Sequence, residues 1–168
     1  RDWRLTRSIL LTERYLIDCF DVSGNQEDSL DWFLRAPGAL SVALDLHPVD
    51  EEAPNRTYAY LQDMQGAGTA ATWQATWMLP EDQGRLVLTM GGENDTQVVQ
   101  CLAPGLTGQP PWGTLRVRRR AGGTRFVAIY QMLAPNAVPA GVTVTPRAVH
   151  VGGDVVRLPG DESLMSMP

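Results

Sequence analysis

The sequence predicts an all-β protein, an antiparallel β-sandwich of about a dozen strands in two large sheets. Short runs rich in β-branched and aromatic residues alternate with clusters of Gly, Pro, Asn and Asp from one end of the chain to the other. No window combines a helical period of apolar residues with a capping residue at its start. Strands that recur at this spacing between turn signals are typical of sandwiches.

The first half of the chain is expected to hold six strands. Each ends near a turn signal, such as SGN at 23–25, APG at 36–38 and GAG at 66–68. The predicted strands are 5–11, 15–22, 30–34, 39–46, 57–64 and 72–79.

The second half is expected to hold six more strands, separated by signals such as EDQG at 81–84 and GGEND at 91–95. The clearest hairpin joins LRVRRR to TRFVAIYQML through the glycine-containing turn AGG at 121–123. The predicted strands are 85–90, 97–102, 114–120, 124–133, 142–151 and 154–158.

The chain of 168 residues suits a single domain. We expect one β-sandwich domain over 1–160 and a flexible tail over 161–168, where no apolar pattern continues. A domain of this size buries roughly two thirds of its unfolded surface, so it does not require disulfides to fold. Cys19 and Cys101 could pair in an oxidising compartment or remain separate buried thiols.

The charge balance excludes a general nucleic-acid binder. All 14 basic residues are Arg, and 19 acidic residues bring the net charge to -5, whereas nucleic-acid binders carry a basic footprint. No apolar run approaches the length of a membrane span, so no membrane partner is expected. Any anion site must be a local patch.

Asp18 stands inside the apolar stretch YLIDCFDV and is expected to be buried. A buried carboxylate needs a partner. Asp18 is therefore predicted to be a structural carboxylate paired with Arg7, Arg14 or backbone amides, and the alternative is a metal ligand. No cofactor is expected, because zinc needs about four close ligands and no CxxC or HxxxH pair occurs.

The stretch RVRRR is the main candidate for ligand binding. Arg116, Arg118 and Arg120 share one face of a strand, and Arg125 begins the next predicted strand. Guanidinium groups in a row match the bidentate geometry of carboxylate or sulfate groups. The alternative is a solvated face whose arginines pair with Asp and Glu across the sheet.

The tryptophans divide by context. Trp73 and Trp77 lie four residues apart in one predicted strand, so they share a face and are expected to fill the core between the sheets. Trp112 lies in the loop QPPWG and is the better candidate for a ligand contact, since loops at the ends of sandwiches carry binding more often than sheets do.

Several phrases of the chain resemble one family. RSILLTERYLIDCFDV, DWFLRAPG, WQATWMLPEDQGRLVLTM, CLAPG and LRVRRRAGGTRFVAIYQMLAP, in this order, are similar to the carboxy-terminal β-sandwich of heparinase II/III-like polysaccharide lyases, the alginate lyase and heparinase type. The resemblance covers about residues 4–135 and rests on spaced phrases of moderate specificity.

The resemblance implies a function. Family members act on acidic, uronate-containing polysaccharide by β-elimination, in a cleft between an upstream helical toroid and the β-sheet part. This segment would support the cleft without being catalytic alone, and the protein would be secreted or periplasmic. The resemblance also places Asp18 at a position where the family has a zinc-ligating Asp, but Arg35 replaces the family's His and His47 lies in a loop-like context.

Two alternatives remain open beside the lyase interpretation. One is an independent carbohydrate-binding or protein-interaction sandwich. The other is a complete enzyme whose catalytic part lies in this chain.

Overall fold

The computed structural model describes residues 2–49 and 58–160, and these form an all-β fold as predicted. Their short 3-10 turns are Tyr58–Tyr60 and Pro80–Asp82. The strands are β1 (Trp3–Leu11), β2 (Leu16–Arg35), β3 (Ala39–Val42), β4 (His47–Pro48), β5 (Gln62–Thr69), β6 (Trp73–Met78), β7 (Arg85–Met90), β8 (Thr96–Ala103), β9 (Trp112–Leu133), β10 (Val142–Val144), β11 (Ala148–Val151) and β12 (Asp154–Arg157).

Nine of these strands form one antiparallel sheet, and the remaining three form a small one. The large sheet has the order β3-β6-β7-β9-β8-β5-β4, with β2 on the other edge of β9 and β1 outside β2. The long strands β2 and β9 pair from Leu16 opposite Tyr130 to Arg35 opposite Thr114. Their register shifts between Ser23 and Asp28. A bulge bends the strand that carries it, and the buried side chains on both sides of this shift share one core. The sheet therefore folds over at the shift, where its strands pass from one layer to the other.

The bend divides the large sheet into two layers. The first layer holds β1, the first half of β2, the second half of β9, and then β7, β6 and β3. The second layer holds the second half of β2, the first half of β9, and then β8, β5 and β4. Every strand pair of this sheet is antiparallel. Because buried side chains from both layers share one core, the bent sheet forms a two-layer sandwich.

The predicted hairpin at 121–123 is wrong, and so is the strand break at 23–25. Both stretches lie inside continuous strands. Neither Gly122 nor Gly123 has the positive φ that tight hairpin turns need. Gly24 instead allows a close approach, because a Cβ there would lie 2.4 Å from the ring of Trp3. Glycine within a strand can mark a sharp bend as well as a turn, and the sequence does not distinguish the two.

Other predicted strands differ at their ends. The prediction for 39–46 shortens to β3, that for 142–151 divides into β10 and β11, and GAG at 66–68 lies inside β5. The prediction for 57–64 begins outside the described residues and includes the 3-10 turn Tyr58–Tyr60 before β5 starts. The tail predicted over 161–168 also lies outside the described residues.

The main core lies between the two layers. Trp73 and Trp77 belong to it, as predicted, and both are buried. The indole Nε1 of Trp77 donates a hydrogen bond of 2.9 Å to the carbonyl of Gly113 and so joins the two layers. The other buried members are Val22, Trp32, Ala36, Ala75, Leu88, Met90, Val98, Leu115, Val117, Phe126 and Ala128.

A second core lies on the outer face of the first layer, which the small sheet covers. Ile17 and Ile129 of the first layer pack there with Val149 and Val151 of β11. This third layer was not predicted from the sequence. Cys19 also lies in this core, and burial raises the pKa of its thiol to about 11. Cys101 is likewise a separate buried thiol.

Within the described ranges, no helix has the length and apolar character needed to cross a membrane.

Candidate functional site

The predicted arginine row, Arg116, Arg118 and Arg120, lies on the outer face of the second layer. Arg118 is paired with Asp31 of β2, which lies directly across the ladder. Its Nε and Nη2 donate to the two carboxylate oxygens of Asp31 at 2.7 and 2.8 Å. Burial favours a higher pKa for Asp31, but the hydrogen bonds from Arg118 and Tyr58 outweigh it and hold this pKa below its usual value. Arg118 is therefore held in an ion pair with Asp31 by two hydrogen bonds.

The other two arginines of the row differ sharply in exposure. Arg116 is only 1% exposed, and its guanidinium carbon lies 6.0 Å from the ring centroid of Tyr58. Tyr58 also packs against Phe33 with centroids 5.9 Å apart, so an aromatic pair lies over this face. Arg120 is exposed. The three arginines lie on one face, as expected. Among them, Arg120 is the one that is mainly exposed to solvent.

Arg125 lies away from this row, in the first layer. Its Nε donates to Oδ1 of Asp21 at 2.5 Å, and Asp21 is its cross-strand neighbour. The two residues line a polar cleft of about 610 Å³ together with Arg4, Thr145 and Pro146.

Arg119, which was not singled out from the sequence, is a buried arginine of β9 with many hydrogen-bond acceptors around it. It is 1% exposed and its guanidinium carbon lies 4.6 Å from the ring centroid of Phe126. Its donors reach a carboxylate, two hydroxyls and two carbonyls at 2.8–3.1 Å, those of Glu93, Thr96, Thr124, Gly91 and Arg125. Because these partners lie on both sides of the bend in β9, Arg119 stabilises the place where the layers join.

Trp112 begins β9 and is partly exposed. The guanidinium of Arg35 lies over its ring at 5.4 Å from the centroid and also donates 3.0 Å to the carbonyl of Pro104. The loop from Pro104 to Pro111 forms one wall of a groove of about 330 Å³, which Gln109 and the exposed ring of Tyr60 line. An aromatic ring and an amide in a shallow groove can contact a sugar.

Asp18 pairs with Arg7, one of the partners that the sequence left open beside Arg14 and backbone amides. Arg7 donates from Nε and Nη2 to the two carboxylate oxygens at 2.8 and 2.6 Å. The side chain of Asp18 is 2% exposed and that of Arg7 is 56% exposed. His47 lies in β4 of the other layer, and its side chain is 73% exposed near Asp45. Among the described residues, no three His, Cys, Asp or Glu side chains gather in a way that could hold a metal.

The Arg7–Asp18 pair lies in a groove of about 520 Å³ beside β1, here called the β1 groove. Its walls are largely apolar, and Ile9, Leu11 and Met132 are 59%, 73% and 62% exposed. Burial raises the pKa of Tyr130 in its lining, and the nearby Asp18 carboxylate adds to this effect. The remaining lining residues are Thr12, Glu13, Arg14, Tyr15, Leu16, Leu34 and Leu86.

Strand pairing explains why this groove is open. Ile9 lies opposite Asp18 in the β1–β2 ladder, so Ile9 and Leu11 lie on the face that elsewhere holds the main core. Their exposure means that the second layer does not cover this end of the face. This groove was not predicted from the sequence. The signal was the stretch SILL, whose apolar residues occupy both faces of one strand.

Comparisons with protein-family models and with curated proteins found no match to this chain. The resemblance to heparinase II/III-like lyases therefore stays a prediction.

Proposed function

We propose that this chain is a non-catalytic β-sandwich module that binds a protein domain in the β1 groove. The observation that carries the proposal is the exposure of large apolar side chains around one concave site. Ile9, Leu11 and Met132 line this groove and are each more than half exposed. Contiguous apolar surface of this kind marks interaction sites, whereas single exposed apolar residues need no explanation.

The charges of the groove indicate the chemistry of the partner. The charged side chains that line the groove are Arg7, Glu13, Arg14 and Asp18, and of these β1 itself contributes Arg7 alone. Asp18 holds the guanidinium of Arg7 by two hydrogen bonds while leaving more than half of the side chain exposed. A guanidinium fixed in this way loses little conformational freedom when it meets a carboxylate. The partner surface is therefore apolar with at least one acidic residue.

The resemblance to heparinase II/III-like lyases would make this partner the helical toroid of the parent protein. The sandwich would then support the cleft in which the parent degrades acidic polysaccharide outside the cytoplasm. The apolar groove on the sandwich suits such a supporting role, since a hydrophobic interface is what holds two domains in a fixed relative position.

A second candidate function is direct binding of carbohydrate. The groove with Tyr60 and Gln109 favours it, because Tyr60 is 64% exposed and sugars stack on exposed aromatic rings. Arg35 and Trp112 lie at the same end of the sandwich. Of the arginine row, Arg120 is the member best exposed to an acidic polysaccharide.

Methyl-labelled protein titrated with acidic amphipathic peptides, one helical and one extended, tests the docking proposal. We expect shifts of the Ile9 and Met132 methyl signals with at least one peptide. Leu11→Glu should abolish the response, since it places a charge in the apolar wall. Val138→Glu is the control, because Val138 is 86% exposed and does not line the groove. The absence of any groove response to either peptide would contradict docking.

Calorimetric titration with alginate, heparin and a neutral glucan tests the carbohydrate candidate. Salt-sensitive binding to the acidic polymers that weakens in Arg120→Ala would support an arginine contact. New ultraviolet absorbance from unsaturated uronate would contradict a non-catalytic role. Binding of the neutral glucan alone, lost in Tyr60→Ala, would favour the groove with Tyr60.

A further inference from the structure

We propose that the free edge of β1 accepts an extended segment of the partner as an additional strand of the large sheet. The inference rests on the proposed docking function and defines the form of the partner. The segment binds in β conformation, with apolar residues at alternate positions and one acidic residue facing Arg7.

The edge of β1 offers a long and regular template. Among the described residues β1 pairs with β2 alone, from Trp3 opposite Gly24 to Leu11 opposite Leu16, and the register does not shift. In an antiparallel ladder, alternate residues direct their N–H and C=O groups to opposite sides. About half of the backbone groups of β1 therefore point to the free edge, where a further strand can pair with them.

The strands at the two ends of the sheet order, β3 and β4, do not offer a long and regular edge. β3 has four residues and β4 has two, His47 and Pro48. Short strands and proline are features that natural proteins use to protect edges. β1, with the sequence WRLTRSILL, contains no proline, glycine or acidic residue and is regular over nine residues. Its exposure along such a length fits an edge that a partner covers.

The side chains of β1 on the groove face determine which segments can bind. Leu5, Arg7, Ile9 and Leu11 alternate along that face of β1. An added strand would place every second side chain beside them, over the apolar groove. One carboxylate opposite or diagonal to Arg7 would pair with its guanidinium. The opposite face of the segment stays polar except near Leu10.

A second copy of this chain is a poorer occupant. Two β1 strands placed side by side would bring their arginines into one ladder without any acidic side chain from either strand. Like charges in neighbouring strands are destabilising. An acidic segment from another protein or domain avoids this cost, so we assign the edge to such a segment.

The test uses a peptide of about ten residues in which Val and Thr alternate around one central Asp. Two further versions carry N-methyl groups on alternate amides, one set on each edge of the strand, so they match in composition. We expect the parent peptide to protect backbone amides of β1 from hydrogen exchange. Methylation of one edge should weaken binding by at least about tenfold, and methylation of the other edge should have little effect.

Four outcomes separate the two proposals. Protection of β1 amides together with the one-sided effect of methylation supports strand addition. If the helical peptide shifts the groove methyl signals and no peptide protects β1 amides, strand addition is overturned and docking survives. If no peptide affects either observable, both proposals fail. Concentration-dependent dimerisation in sedimentation, with protection of β1 amides, would overturn the assignment of the edge to an acidic partner.

Discussion

The solvent exposure of two strands is the reverse of what their sequences suggest. The arginine-rich stretch of β9 is largely buried, and the apolar strand β1 is largely exposed. RVRRR is charged, but Arg116 and Arg119 are each 1% exposed and Arg118 is held by Asp31. WRLTRSILL contains several large apolar residues, yet Ile9 and Leu11 are mostly exposed. β9 pairs with strands on both edges, whereas β1 pairs only with β2 among the described residues. Position in the sheet therefore outweighs composition in deciding exposure.

The difference also changes where a binding function belongs. Ion pairs between β2 and β9 neutralise Arg118 and Arg125, because Asp31 and Asp21 stand directly opposite them in β2. Those arginines mainly hold the sandwich together. β1 keeps an exposed apolar wall with a fixed guanidinium, which is the combination that a partner can use.

Replacing Arg119 with Met should have the largest effect on stability. The change removes five donated hydrogen bonds from a buried site and leaves the acceptors near the bend without a donor. We expect unfolding free energy to fall by about 3–5 kcal/mol, measured by urea denaturation. Arg120→Met is the matched control and should change it by less than about 0.5 kcal/mol, because Arg120 is exposed. Equal losses would show that Arg119 does not stabilise the bend.

The next largest effect on stability is expected at the Arg7–Asp18 pair, in which the carboxylate is buried and the arginine side chain is more than half exposed. Arg7→Met should reduce the unfolding free energy by about 2–3 kcal/mol, because it leaves the Asp18 carboxylate buried without its cation. Asp18→Asn should cost less, since the released guanidinium of Arg7 already reaches solvent. Urea denaturation of both variants measures the asymmetry. A greater loss for Asp18→Asn would mean that the guanidinium depends on the carboxylate more than the reverse.

A smaller, pH-dependent effect is expected at Asp31. Its pKa is lowered in the folded state, because hydrogen bonds from Arg118 and Tyr58 outweigh burial. The folded state then binds fewer protons than the unfolded state, so the contribution is present above about pH 4 and is lost as pH falls through the folded value. Asp31→Asn should remove this acid dependence, so that its unfolding free energy falls less steeply between pH 6 and 3 than that of the unmodified protein.

Urea denaturation at several pH values measures the acid dependence of the unfolding free energy in Asp31→Asn. Asp45→Asn serves as the control, because the side chain of Asp45 is 95% exposed. An unchanged acid dependence in Asp31→Asn would mean that the ion pair with Arg118 does not stabilise the fold.

The sequence was sufficient for the all-β class, for the core position of Trp73 and Trp77, and for a paired, buried Asp18, but it did not decide between Arg7, Arg14 and backbone amides as the partner. Each depends on local alternation, which places residues on one face or another of a strand. The burial of Arg116 and Arg119 depends on which strands flank β9. That pairing is set by contacts between distant parts of the chain, so local alternation did not reveal it.

The bend in β2 and β9 was missed for a related reason. Glycine at 122 and 123 is compatible with a hairpin turn and with a bent strand. The choice is decided by a strand about a hundred positions earlier, because β2 pairs with β9 on both sides of the bend. The exposed end of the β1 groove likewise depends on how far the second layer extends, and strand patterns do not contain that information.

The smallest effect on stability should come from Ile9→Ser, and it sharpens the contrast between β1 and the core most directly. Ile9 is 59% exposed, so little apolar surface returns to water on unfolding, and we expect a loss below about 0.5 kcal/mol. Ile129→Ala removes a fully buried side chain in β9 and should cost about 2–5 kcal/mol. If Ile9→Ser is nevertheless defective in peptide binding, that apolar side chain serves the partner and not the fold. A large loss of stability would instead place Ile9 in the core and remove the basis for docking at β1.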